Sequence, residues 1–172
     1  MKTILITGQG GSGKSRSLYL TANWLSNYYQ ELSGILPKEF LFTGNTYEEN
    51  GTDLKTLFRS GEKTILFHAA TDDGDCIQEL KTNLDSLAAR KMLPDLLVTT
   101  CRRFDDENAQ ILLNTMEWKR KGNKVFDTEG NEIIQVPVIP VKYDRKKNEI
   151  IEWYNELTSD VVCNFIQLSL FD

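Results

Sequence analysis

The chain has 172 residues, 40% hydrophobic and 26% charged, a composition typical of a single folded domain and not of a disordered or fibrous chain. Its formal net charge of −5 argues against broad, non-specific DNA binding by the whole surface. Three widely spaced cysteines without a C-x-x-C pair exclude a disulfide framework and a recognisable zinc site, and they fit a reducing compartment. No stretch approaches the roughly 20 apolar residues of a membrane span, so we expect a cytoplasmic protein.

Predicted strands and helices alternate along the chain. The first half predicts a strand at 2–7, a helix at 15–29, a strand at 39–43, a short helix at 52–59 and a strand at 64–70. The second half predicts a helix at 76–92, a strand at 95–100, a helix at 105–120, a hairpin over 124–134 turning at 129–131, an edge strand at 136–141 and a last helix from near residue 147. This alternation predicts an α/β fold, a mostly parallel sheet with helices on both faces.

A phosphate-binding motif follows the first strand. Residues 8–15 read GQGGSGKS, a full match to G-x-x-x-x-G-K-[ST], and the motif lies between an apolar strand and an amphipathic helix. Backbone amides of such a loop point at phosphate oxygens, Lys14 would neutralise phosphate charge, and Ser15 would place its hydroxyl on Mg²⁺. The residues expected to contact the nucleotide are Gly8, Gln9, Gly10, Gly11, Ser12, Gly13, Lys14, Ser15 and Arg16.

An acidic loop follows the predicted strand at 64–70. A nucleotide site of this type needs an acid that holds the Mg²⁺ water shell, and Asp72, followed by Asp73, is our choice for a metal-holding and catalytic role. The alternative is that Asp75 caps the next helix and the other acids are solvated. His68, the only histidine, lies inside the predicted strand, where we expect a buried core residue.

Two arginines follow the predicted strand at 95–100. Arg102 and Arg103 are expected at the same sheet edge as the loop, where they would contact phosphate and stabilise charge during phosphoryl transfer. The alternative is an ion pair with the acids at 105–107. Thr43 and Thr46 are weaker candidates for a threonine that contacts Mg²⁺. Basic clusters at 119–124 and 142–147 are expected to be solvated, which leaves direct DNA binding open.

The loop GQGGSGKS, with its paired glycines, and the helix SRSLYLTANWL resemble the ParA/MinD family of P-loop ATPases. This resemblance implies ATP and Mg²⁺ as ligands, ATP hydrolysis, and a switch to a homodimer on membrane or DNA in partitioning, positioning or mobile-element transfer. Gln9 stands where that family usually has a signature Lys reaching across the dimer. A nucleotide-dependent binding module with little turnover therefore stays an alternative.

A second resemblance concerns the acceptor of the phosphoryl group. The stretch Arg103-Phe104-Asp105-Asp106-Glu107 is similar to the R-F-x-x-E stretch of deoxynucleoside monophosphate kinases. This resemblance implies a nucleotide acceptor surrounded by the arginines and by the acidic loop at 71–75. The alternative function is therefore a P-loop nucleotide kinase.

The C-terminal residues suggest a partner. The run Gln167-Leu168-Ser169-Leu170-Phe171 resembles the pentapeptide by which bacterial replication and repair proteins bind the DNA polymerase sliding clamp. Since the preceding apolar pattern is helical, we expect a domain over 1–166 and an exposed tail over 167–172; a packed terminal strand is the alternative. The combined hypothesis is an ATPase that acts in DNA replication, partitioning or mobile-element maintenance and is recruited by its tail.

Overall fold

The computed structural model of the protein describes residues 1–37, 54–69, 73–138 and 148–171. Its strands are β1 (Lys2–Thr7), β2 (Gln30–Leu32), β3 (Lys55–Ser60), β4 (Lys63–His68), β5 (Leu96–Cys101), β6 (Lys119–Lys121), β7 (Lys124–Phe126) and β8 (Ile134–Pro137). Its helices are α1 (Lys14–Leu25), α2 (Gly74–Ala89), α3 (Glu107–Thr115) and α4 (Asn148–Phe171). The predicted strand at 39–43 lies outside the described residues.

Six of these strands form one sheet in the order β2-β3-β4-β5-β1-β8. The strands β4, β5, β1 and β8 run parallel, whereas β3 is antiparallel to β4 and β2 is antiparallel to β3. Thr7 at the end of β1 pairs with Cys101 on one side and with Pro137 on the other. Three parallel strands therefore end together, and the glycine-rich loop starts at that edge.

Helices cover both faces of the sheet because alternate strand residues point to opposite sides. On one face, the side chains of Ile4 and Ile6 pack with apolar residues of α1 and α4. On the other face, Leu5 and Leu97 pack with apolar residues of α2 and α3. The predicted α/β architecture, a mostly parallel sheet between two helical layers, is confirmed. Within the described part of the chain, no helix has the length and apolar character needed to cross a membrane.

The short helix predicted at 52–59 is wrong. Its described part belongs to β3, which pairs along its whole length with β4, from Lys55 opposite His68 to Ser60 opposite Lys63. Phe58 packs on the α1/α4 face of the sheet and Leu57 on the opposite face, so both sides of the strand are buried. Pairing and burial on both faces outweigh the weak local preference of a short segment for helix.

The hairpin predicted over 124–134 is present as a short one: Phe126 forms an antiparallel bridge with Glu132, and the backbone N–H of Ile133 donates to the carbonyl of Val125 (2.8 Å). The sequence analysis missed the strand before it, β6, which pairs with β7 across a turn at Gly122, where φ is +62°. The predicted turn at 129–131 exists as a side-chain-stabilised loop, in which Asp127 accepts a hydrogen bond from the backbone N–H of Asn131 (2.8 Å). Because all three residues of β6 are exposed cations, its sequence has no apolar alternation that would predict a strand.

The last helix continues beyond the expected end at about residue 166. It runs to Phe171, and Ile166 and Leu170 both pack into the cluster that joins α1, α4 and the sheet. The N-terminal strand also holds this turn, since the ammonium of Lys2 donates to the backbone carbonyl of Ser169 (2.6 Å). The apolar spacing of four residues from Val162 through Ile166 to Leu170 extends the buried stripe to the end of the helix.

Candidate functional site

The glycine-rich loop connects the end of β1 to the start of α1. The backbone N–H of Gly8 donates to the carbonyl of Cys101 (3.1 Å), which fixes the start of the loop to the neighbouring strand β5. The backbone N–H of Ser12 donates to the carbonyl of Gln9 (3.3 Å), so the middle of the loop forms a closed turn. The motif therefore lies between a buried strand and a helix N-terminus, which is the context that phosphate binding requires.

Two glycines of the loop adopt backbone conformations that other residues rarely take. Gly11 has a φ of +69° and Gly13 a φ of +91°. At Gly13 the space is also restricted, since a Cβ would lie 2.0 Å from Oδ1 of Asn155 in α4. The carboxamide of Asn155 thus packs against the last turn of the loop and helps to set its shape.

The N-terminus of α1 differs from those of α2 and α3. Asp73 caps α2 and Asp106 caps α3, and each carboxylate accepts a hydrogen bond of 2.9 Å from a backbone N–H of the first turn. Each of these helices also carries an acidic residue in its first turn. In α1 the N-cap is Gly13, without a side-chain cap, and the first turn contains Lys14 and no acid. This helix end therefore keeps the positive potential that attracts an anion.

Lys14 is placed to contact such an anion. The residue is 4% exposed, and its ammonium group donates to the backbone carbonyl of Gln9 (2.9 Å), across the mouth of the loop. The hydroxyl of Ser12 is buried inside the loop and has no hydrogen-bond partner among the described residues. Buried polar groups are normally hydrogen-bonded, so this hydroxyl is a further group available to a phosphate oxygen. Ser15 lies half-buried in the first turn of α1, and its predicted contact with Mg²⁺ stays a prediction.

Arg16 follows the motif, and its side chain pairs with α4. Its guanidinium donates twice to the carboxylate of Glu152, at 2.9 Å through Nε and at 2.5 Å through a terminal nitrogen. This pair joins the two helices that share one face of the sheet. The predicted nucleotide contact of Arg16 stays a prediction.

The two predicted arginines separate in the structure. The guanidinium of Arg102 lies directly against the loop, because a Cβ on Gly10 would fall 2.0 Å from its terminal nitrogen. Arg103 is exposed and forms an ion pair with Asp105 (3.3 Å), as the alternative interpretation expected. Arg102 is therefore the arginine beside the candidate phosphate position, and its guanidinium occupies the space that a side chain at position 10 would need.

The acidic candidates are only partly described. Asp72 lies outside the described residues, so its metal-holding role stays a prediction. Asp73 caps α2, the role that the alternative interpretation gave to Asp75, and the backbone N–H of Cys76 holds the pKa of the Asp73 carboxyl below its usual value. Because β5 lies between β4 and β1, the end of β4 is two strand spacings, about 9–10 Å, from the end of β1 where the loop starts.

His68 is a core residue, as expected. It is 0% exposed, and neither ring nitrogen has a hydrogen-bond partner in the part of the chain that the structure describes. Burial, assisted by the charge of Lys55 on the paired strand, lowers the pKa of His68 to about 4. The ring is therefore neutral at pH 7. Lys55 in turn forms a nearly buried ion pair with Glu79 of α2.

A cavity of about 560 Å³ borders the outer side of the loop at Gly8 and Gln9. The residues after β5, the hairpin β6–β7 and the end of β8 form its walls, and these include Arg103, Phe104 and Arg120. Such a volume lies in the range of small-molecule sites. Sequence reasoning placed Arg103 and Phe104 at this edge but missed Arg120, which the order of residues alone assigned to a solvated basic cluster.

Asn155 was also missed by sequence reasoning. The signal that could have found it is its position on the buried stripe of α4, where it is 3% exposed among apolar residues. Its Oδ1 atom has no hydrogen-bond partner within the described residues. A buried carboxamide of this kind, packed against the N-cap of another helix, points to a role in shaping the loop.

The site thus combines a loop with two positive-φ glycines, an uncapped helix N-terminus, the ammonium of Lys14 and the guanidinium of Arg102. Backbone amides at a helix N-terminus, an ammonium and a guanidinium are the groups that protein sites for multi-oxygen anions use. Comparison of the chain with protein-family models, with curated proteins and with solved structures finds no match.

Proposed function

We propose that the loop over residues 8–15 binds ATP, or another nucleoside triphosphate, and that the protein hydrolyses it. The observation that carries this proposal is the N-terminus of α1, which has a glycine at its cap and places Lys14 where α2 and α3 place acids. A helix end without its own anion, beneath a positive-φ glycine turn, fits the phosphate chain of a nucleotide.

The residues support transfer to water by charge stabilisation. Water attacks the γ-phosphorus, the bond to the bridging oxygen breaks, ADP leaves, and the water proton leaves with the products. Lys14 and Arg102 would stabilise negative charge on the transferred group. Mg²⁺, when bound, would add to this stabilisation; the hydroxyl of Ser15 and an acid after β4, with Asp72 our choice, suit an ion that prefers oxygen ligands.

Release of inorganic phosphate from Mg-ATP tests the reaction. We expect the intact protein to release phosphate and the Lys14→Ala variant to release none above background, because the charge over the phosphate chain is lost. The exposed Lys81, which pairs with Asp85 on α2, offers a matched control, and Lys81→Ala should keep the full rate. Equal rates for Lys14→Ala and the intact protein would show that the reaction occurs elsewhere.

A second candidate is transfer of the γ-phosphoryl to a small acceptor, and the cavity beside Gly8 and Gln9 favours it. In this reaction an acceptor phosphate oxygen replaces water, so that the acceptor gains the phosphoryl group and ADP leaves. Incubation with Mg-ATP and a panel of deoxynucleoside monophosphates separates the two candidates. Deoxynucleoside diphosphate would support the kinase, phosphate release without acceptor would support the ATPase, and nucleotide binding without turnover would support a binding module.

We propose that the C-terminal residues bind a DNA polymerase sliding clamp. This contact would recruit the protein, with its nucleotide site, to DNA replication. Gln167 and Leu168 are exposed at the end of α4, and Leu168 is 56% exposed. Leu170, in contrast, is 9% exposed in the core cluster. An extended bound peptide would therefore require the last turns of α4 to unwind first. Binding to the clamp by the intact chain but not by a folded chain lacking residues 167–172 would support this proposal. Equal binding, or unfolding of the truncated chain, would contradict it.

A further inference from the structure

The helix α4 is apolar on its outer side as well as on its buried side. Seven large apolar side chains are exposed in the part of the chain that the structure describes, and four of them form an outer stripe on α4: Trp153, Leu157, Val161 and Leu168. Each of the four is between 36% and 56% exposed. Because a helix turns by about 100° per residue, they lie within about 80° of one another, on the side away from the core. An exposed apolar stripe of this kind marks an interaction surface.

An aromatic groove lies at the C-terminal end of the outer stripe. Its volume is about 890 Å³, and its walls include the rings of Trp24 and Tyr28 from the end of α1 and the side chains of Asn164, Gln167 and Leu168 from α4. None of the described residues that line it carries a charge. Rings on one side and carboxamide oxygens on the other suit a side chain that is mainly apolar and has one N–H donor, as the indole of tryptophan is.

The outer stripe is symmetric about its own centre. Trp153 and Leu168 lie at equal distances along α4 from the midpoint between residues 160 and 161, and so do Leu157 and Asn164. If two copies of α4 pack antiparallel about a two-fold axis at that midpoint, Trp153 of each copy lies opposite Leu168 of the other, beside the aromatic groove. The same surface then serves both copies, which is the property of a two-fold interface.

The charges of α4 favour the antiparallel arrangement over a parallel one. All acidic residues of the helix lie between positions 149 and 160, residues 161–171 carry no charge, and the helix contains no Lys or Arg. Parallel pairing would place Glu156 and Asp160, both exposed, beside their own copies, and like charges at such positions repel. In the antiparallel pair Glu156 faces the uncharged Gln167, and only Asp160 approaches its own copy near the axis.

We propose that the outer stripe of α4 binds a second copy of this chain, as an antiparallel helix pair in which the indole of Trp153 from each copy enters the aromatic groove of the other. A tryptophan in a pocket is a usual anchor of protein interfaces. This dimer differs from the one that the ParA/MinD resemblance implies, in which a loop residue reaches across to the partner, because the outer stripe contains no loop residue. The proposal goes beyond the nucleotide site and does not require it.

Sedimentation velocity of the full chain without nucleotide tests the proposal over about 1–100 μM, the range in which a small interface associates. We expect an equilibrium between monomer and dimer. Trp153→Ala should weaken the dimer about ten- to hundredfold, because the anchor is lost. Val161→Glu, which adds a charge beside the axis, should leave only monomer. Since both positions are exposed, both variants should keep the circular dichroism spectrum and the unfolding midpoint of the intact protein.

Two acid variants test the orientation of the pair. Asp160→Asn should strengthen association about two- to fivefold, because it removes repulsion between like charges near the axis. Glu156→Gln should change association little, since Glu156 faces an uncharged residue in the antiparallel pair. Strengthening by both variants would indicate a parallel pair, and weakening by Asp160→Asn would indicate a basic partner surface; either result would overturn the proposal.

Leu93→Ala is the matched control, since Leu93 is an exposed apolar residue in the turn after α2, on the opposite face of the sheet. It should associate as the intact protein does. Monomer at every concentration, or unchanged association in Val161→Glu, would overturn the proposal. A dimer that forms only with Mg-ATP and is lost in Lys14→Ala would place the contact at the loop instead. A monomer that binds phosphatidylcholine vesicles, and loses this binding in Val161→Glu, would assign the outer stripe to a membrane surface instead.

Discussion

Two glycines of the loop share a positive φ but differ in their surroundings. Around Gly11 nothing would lie within 4 Å of an added Cβ, whereas at Gly13 the Cβ would meet the carboxamide of Asn155 at 2.0 Å. Alanine at either position costs roughly 1–2 kcal/mol of backbone strain. We expect Gly13→Ala to lower the free energy of unfolding by about 1–3 kcal/mol more than Gly11→Ala, because of overpacking.

Urea unfolding of the two variants measures this difference, and a double variant isolates its cause. Asn155→Ala in the Gly13→Ala background should recover most of the additional loss, since it removes the clash but not the strain at Gly13. Equal losses for the two glycine variants, or no recovery in the double variant, would show that Asn155 does not shape the loop.

The position of Arg102 predicts how its removal would change the rate of phosphate release. Because its guanidinium lies against Gly10, Arg102→Ala should lower the rate of phosphate release by about 10²–10³-fold, the usual effect of removing one donor to developing charge. Arg90, at the end of α2, donates a hydrogen bond to the backbone carbonyl of Ile35 (3.0 Å). The variant Arg90→Ala provides a control. If Arg102→Ala turns over ATP as fast as Arg90→Ala, Arg102 does not contact the transferred group.

His68 predicts how stability depends on pH. Its pKa is lowered to about 4 by burial in the folded protein, against about 6.5 for an unperturbed histidine. Above pH 6.5 both states are neutral; as the pH falls from 6.5 to 4, the unfolded state binds a proton that the folded state does not. Stability is therefore lost over that window, by about 2 kcal/mol between pH 7 and pH 5.

Urea unfolding at pH 7 and pH 5, with the intact protein and His68→Gln, separates this contribution from that of the carboxylates. Since glutamine does not titrate, the variant should lose about 2 kcal/mol less than the intact protein between the two pH values. Equal losses in the two proteins would mean that the pKa of His68 is the same in the folded and unfolded states.

The burial of the last turns of α4 predicts how much their leucines contribute to stability. Leu170 is 9% exposed in the core cluster, whereas Leu168, two residues earlier, is 56% exposed. Leu170→Ala should lower the free energy of unfolding by about 2 kcal/mol or more, and Leu168→Ala by less than about 0.5 kcal/mol. Thermal or urea unfolding of both variants would check this. Two equally small effects would show that residues 167–171 are a displayed tail after all.

The elements that the sequence predicts well are those with a clear apolar period. The strand at 2–7 is confirmed with its bounds, because KTILIT is a short apolar run ended by glycine. The helix at 52–59 is wrong because its structure depends on β4, a pairing that local periodicity does not contain. β6 carries no apolar residue at all. Local pattern thus predicts elements that carry their own apolar run or stripe, and it fails where pairing with a neighbouring strand determines the structure.

In the whole molecule, too, the sequence predicts the part of the site that is consecutive in the chain and not the contacts between distant segments. The motif predicts the loop, Lys14 and the adjoining helix, since these are consecutive in the chain. It does not predict that Arg102 rather than Arg103 lies against the loop, that Asn155 supports it, or that Arg120 reaches its outer side, because these contacts depend on strand order and on packing between distant segments.

Binding of Mg-ATP to the intact protein, measured by titration calorimetry beside Lys14→Ala and the control Lys81→Ala, tests the central claim most directly. The account predicts saturable binding by the intact protein and by Lys81→Ala, and a loss of about ten- to hundredfold in Lys14→Ala, since hydrogen bonds between charged groups are removed. Absence of ATP binding by the intact protein, or equal affinity in Lys14→Ala, would contradict the assignment of the loop as a nucleotide site.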